Sequence, residues 1–61
     1  MNRYLFVAKV LNMENAELWR FISKEIVASN EIDAWEDFTN YALATCEECE
    51  CVETIKNIYI I

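Results

Sequence analysis

Arg3-Tyr4-Leu5-Phe6-Val7-Ala8-Lys9-Val10-Leu11 constrains this chain more than any other stretch. The run is rich in aromatic and β-branched residues and holds no breaker, so it reads as a strand. Its even positions, Tyr4, Phe6, Ala8 and Val10, are all apolar. Its odd positions, Leu5, Val7, Lys9 and Leu11, are apolar apart from Lys9. A strand apolar on both faces belongs in the middle of its sheet, so the rest of the chain has to provide its neighbours.

The chain has 61 residues, enough for a single domain spanning 1–61. A chain of this length buries only ~60% of the surface it exposes when unfolded. Apolar residues make up 56% of it, more than one small core readily hides. Glycine and proline are both absent, which excludes a glycine-rich phosphate loop. Turns then fall to residues whose side chains bond their own backbone, with Asn12, Asn15, Asn30 and Asn57 as candidates.

Asn12 to Glu17 is polar enough to be a connection. Leu18 to Ala28 fits two periods. As a strand it alternates Leu18, Arg20, Ile22, Lys24 and Ile26 against Trp19, Phe21, Ser23, Glu25 and Val27; as a helix it gathers Leu18, Trp19, Ile22 and Ile26 on one arc. The next residues favour the strand, over roughly Trp19 to Val27. Asn30-Glu31-Ile32-Asp33 has the form of a helix start, with Asn30 as N-cap, Asp33 three residues on, and acid in the first turn.

The helix is expected from about Glu31 to Cys46. Ile32, Trp35, Phe38, Thr39, Ala42, Leu43 and Cys46 share its apolar face, and Asp33, Glu36, Asp37, Asn40 and Glu47 share the opposite one. Trp35 is expected between helix and sheet. Cys46 to Glu50 is an acidic connector. Val52 to Ile61 is a final strand in which Ile55, Tyr59 and Ile61 alternate against Ile58 and Ile60. The expected fold is α+β: ββαβ, a small three-stranded antiparallel sheet in the order 2-1-3 with one helix packed on one face. The alternative is β-α-α-β.

Five Lys and Arg against eleven Asp and Glu give a net charge of −6, with no histidine. That balance argues against direct nucleic-acid binding and against an anionic membrane surface. It favours a protein partner with a basic surface. The negative helix stripe, one charge about every turn, and the connector carboxylates Glu47, Glu48 and Glu50 are the candidate partner-binding residues. Tyr41, at the edge of the apolar arc, joins them as a possible rim aromatic. No general base is evident without histidine, and Ser23 and Ser29 lack an activating partner, so no catalytic residue and no cofactor is expected.

Cys46, Cys49 and Cys51 form Cys-x-x-Cys and Cys-x-Cys spacings. Three thiols without histidine fall one ligand short of a structural zinc site. The surrounding acid raises thiol pKa and works against redox chemistry. The bland reading packs Cys46 and Cys51 as small apolar residues and leaves Cys49 idle. The odd cysteine count, with no signal segment or membrane-length apolar run, points to a reduced cytoplasm.

The stretch Ala28-Ser29-Asn30-Glu31-Ile32-Asp33-Ala34-Trp35-Glu36-Asp37-Phe38 resembles that of small acidic ββαβ proteins of phages and mobile elements. The resemblance covers about a fifth of the chain and carries over no active site. That resemblance is one of fold; a separate analogy of class, to phage-encoded inhibitors of defence systems that are this small, this acidic and this poor in catalytic residues, joins the charge in suggesting an inhibitor or regulator, of an anti-defence or host-takeover kind, acting in a host cell's cytoplasm. Such a protein would occlude the basic channel of a nucleic-acid-binding host protein. The alternatives are a structural module that forms homodimers through an uncovered sheet face, and a small cysteine-based metal-binding domain.

Overall fold

The computed structural model of the protein describes residues 1–59. The chain runs β1 (Asn2–Asn12), β2 (Trp19–Ala28), α1 (Glu31–Thr45) and β3 (Glu50–Tyr59). The sheet order is β2-β1-β3, and both outer strands are antiparallel to β1. The doubly apolar strand is therefore central, and Leu18 to Ala28 is not a helix. The expected roles of Ile60 and Ile61 lie outside the described residues.

Asparagine side chains close the turns. Asn12 Oδ1 accepts from the backbone N–H groups of Glu14 (2.8 Å) and Asn15 (3.0 Å), and Asn15 Oδ1 accepts from Glu17 N–H at 3.1 Å. Among the described residues none has a positive φ, so the hairpin needs no left-handed residue. Asn30 caps α1 from an extended conformation, its Oδ1 accepting from Asp33 N–H at 2.9 Å. Asn57 makes no turn. It lies inside β3 opposite Phe6, where strand pairing overrides its turn preference.

The even residues of β1 form the core: Tyr4, Phe6, Ala8 and Val10 are buried with Ile22, Ile26 and Ala28 of β2. From α1 the buried residues are Ala34, Phe38 and Ala42. This corrects the expected apolar stripe. Ile32 is 79% exposed, Leu43 60% and Trp35 43%. The two alanines, one turn either side of Phe38, let the helix approach the sheet closely and stack Phe38 on Phe6, with centroids 5.1 Å apart. With Phe38 filling the space beneath the helix and an alanine on either side of it, Ile32, Trp35 and Leu43 are turned out to the flank. Trp35 is therefore not sandwiched between helix and sheet; at the border of the core it makes a T-shaped contact with Phe6, the ring centroids 6.0 Å apart.

α1 ends at Thr45, and Cys46 is an extended C-cap whose N–H returns to the Ala42 carbonyl. Glu47 therefore lies beyond the helix and outside its stripe. A bulge between Lys9 and Val10 shifts the pairing, with Lys9 opposite Thr54 and Val10 opposite Val52. Val52 and Ile55, which differ in parity, consequently both pack against the core.

Candidate functional site

The helix lies on one sheet face with carboxylates along its flank, and the connector that follows it carries more of them at the end of the sheet where β1 turns into β2. Asp33, Glu36, Asp37 and Asn40 are all exposed on α1. Asp33, Glu36 and Asp37 line a shallow depression with Met1, Val27 and Ala28, so this flank overlooks the edge strand β2. Glu47 and Glu48 are exposed in the connector.

The structure adds an acidic residue that the local pattern did not single out. Met13 N–H donates to the Cys49 carbonyl at 2.6 Å, which brings the β1–β2 turn against the connector. Glu14, Glu47 and Glu48 then border one open depression with Cys49. Glu14 is distant from Glu47 in sequence, and only the sheet order brings them together.

Glu50 is not a free surface carboxylate. Arg20 of β2 grips it twice, Nε donating to Oε2 at 3.0 Å and Nη2 to Oε1 at 2.8 Å. The Glu47 backbone N–H donates to the same Oε1 at 3.0 Å. The Glu50 side chain is 12% exposed. Arg20, followed by the Glu47 N–H, holds the Glu50 carboxyl down at about 2. Arg20 Nη2 also donates to the Thr45 carbonyl at 3.3 Å. The last turn of α1 has no basic residue of its own, so β2 supplies the cation that its C-terminus favours.

Tyr41 is only partly exposed. It packs on Phe38, with centroids 6.0 Å apart, and Lys24 Nζ sits 4.4 Å from its ring centre. It belongs to the core's border with Lys24 as a cover, and does not stand out as a rim aromatic.

The three cysteines are free and dispersed. Cys46 packs against the core, and burial, reinforced by Glu50, pushes its thiol pKa up. Cys49 Sγ accepts from Asn12 Nδ2 at 3.4 Å, and Cys51 is exposed beside Leu11 on the other sheet face. Cys51 therefore does not pack as a buried apolar residue, and Cys49 has a contact. Among the described residues no group of three or more Cys, Asp or Glu converges as a metal-ligand set. No described helix is long and apolar enough to cross a membrane.

No protein-family model, curated protein or solved structure matches this chain.

Proposed function

We propose that the protein is an acidic binding module that docks on a basic protein surface and occludes it, acting as an inhibitor or regulator of a nucleic-acid-binding protein. The observation that carries this reading is the segregation of charge. Of the eleven carboxylates, only Glu25 and Glu53 belong to the sheet face opposite the helix. The other nine lie on the helix side and at the turn and connector end. Two cations share that surface, and both are engaged: Arg20 with Glu50, and Lys24 over Tyr41. A field of one sign, fixed on a helix and two short loops, attracts a surface that ordinarily holds phosphates. It repels nucleic acid itself.

The phage and mobile-element origin suggested by Ala28 to Phe38 belongs to this proposal, as does action in a host cytoplasm. The test is capture of partners from bacterial lysate at ~50 mM and ~500 mM salt, where screening lengths differ severalfold. Duplex DNA is then added as competitor. The expected result is a basic partner lost at high salt and displaced by DNA. A variant carrying Asp33→Asn, Glu36→Gln, Asp37→Asn and Glu47→Gln should capture it at least about tenfold less well. Undiminished capture by that variant overturns the proposal.

A further inference from the structure

Among the described residues no element covers the face of the sheet away from α1. By register it displays Leu5, Val7 and Leu11 along β1, Trp19 and Phe21 on β2, and Ile58 on β3. Trp19 is 53% exposed, Phe21 61% and Ile58 50%. We propose that a second copy of this chain covers this face, the two sheets packing face to face about a two-fold axis.

Charge selects that occupant. The face carries Arg3 paired with Glu25 at 3.7 Å, Lys9 paired with Glu53 at 3.6 Å, and Lys56. It is nearly neutral, with one surplus cation. The rest of the molecule holds nine carboxylates against two cations. Two copies repel through their acidic sides, and a basic partner is drawn there instead. A partner for this face must be apolar at its centre and carry some acid, and the same face of a second copy, with Glu25 and Glu53, meets both conditions.

The area suffices. The molecule extends 39 × 17 × 13 Å, and the sheet spans its long side. A face of that outline gives roughly 500–600 Å² per copy, so a pair buries about 1,000 Å² or more, the lower bound for a specific interface. With the axis parallel to β1, β1 lies over its counterpart and β2 lies over the other copy's β3. Glu25 of each chain then lies over Ile58 of the other, with Lys56 of that copy diagonally across from it, and Lys9, which lies over its own counterpart, is offset by Glu53 in each chain. Sheets so packed sit ~10 Å apart, which the aromatic and aliphatic side chains on the two faces fill.

This inference does not depend on the proposed function, because the dimer leaves both helix faces outward. The test is mass measured by light scattering from about 1 to about 500 µM at about 500 mM salt, where repulsion between acidic chains is screened. The expected mass at the upper end is twice 7.2 kDa. Val7→Glu should weaken association about tenfold or more, because even beside Lys56, its cross-strand neighbour, a carboxylate at the centre of the contact has to be desolvated. Val7 is half-buried in the monomer, so the exposed residues Lys56 and Glu25 give a second test. Lys56→Glu should weaken association about tenfold, and adding Glu25→Lys should restore it. A mass of 7.2 kDa at every concentration overturns the proposal, as does a dimer indifferent to both Val7→Glu and Lys56→Glu. The acidic-face variant above should dimerise normally, which separates a failure here from a failure of the partner-binding proposal.

Discussion

Glu50 shows how far a residue's role depends on what folds beside it. Among the acidic residues of the connector its sequence position gives no distinction, yet Arg20 makes it a strut between β2, β3 and the end of α1. Its folded pKa, about 2, lies below its ordinary value of 4.5. The carboxylate form is thus favoured by folding. Its contribution is complete above pH 4.5 and is lost as pH falls through the interval down to about 2. Glu50→Gln should therefore lower the melting temperature at pH 6, and the gap to wild type should shrink steadily below pH 4.5 and be small by about pH 2. A gap of constant size across that range would show that the ion pair is not the source of the effect. Phe38 and Trp35 make a second contrast. Phe38→Ala should cost about 3–5 kcal/mol and Trp35→Ala only about 1–2, because Trp35 keeps much of its surface in water. Denaturant titration of the two variants measures the difference directly.

At the scale of elements, the sequence was most legible where one signal had no competitor. The doubly apolar β1 and the Asn30 start of α1 together settled the order of strands and helix, including the ambiguous Leu18–Ala28 segment. The rotation of α1 was not legible, because hydropathy ranks Ile32 and Leu43 above Ala34 and Ala42. Close approach of helix to sheet reverses that ranking by favouring small side chains beneath the axis. The β3 bulge was hidden for a related reason: period-2 reading assigns Val52 and Ile55 to opposite faces, and only the pairing with β1 shows the extra residue. Of the candidate site, the helix carboxylates were readable from spacing alone. Glu14 and the tying down of Glu50 were not, since both depend on contacts between residues far apart in sequence. The rotated helix has a measurable consequence. Ile32→Gln and Leu43→Gln should each change stability by no more than about 0.5 kcal/mol, as exposed substitutions do, whereas Ala34→Leu should cost about 1–3 kcal/mol by overpacking.

The whole molecule separates two surfaces by charge, and the acidic residues do not all serve the fold. Glu31 and Asp33 lie in the first turn of α1, where the helix dipole favours them. Glu36, Asp37, Glu47 and Glu48 have no ion pair among the described residues, and Glu47 and Glu48 follow the negative end of the helix. Their repulsion works against the folded state, most strongly at low ionic strength. Neutralising them with Glu36→Gln, Asp37→Asn, Glu47→Gln and Glu48→Gln should raise the melting temperature by a few degrees at ~20 mM salt and by less at ~500 mM, a degree or so corresponding to a few tenths of a kcal/mol in a domain of this size. Glu31→Gln with Asp33→Asn should do the reverse and lower it. If the four-residue variant is more stable yet loses its partner, the unpaired carboxylates are held against the fold's own preference, as a surface shaped for binding requires. If it melts below wild type at both salt concentrations, the carboxylates stabilise the fold, and the charge segregation no longer argues for a partner.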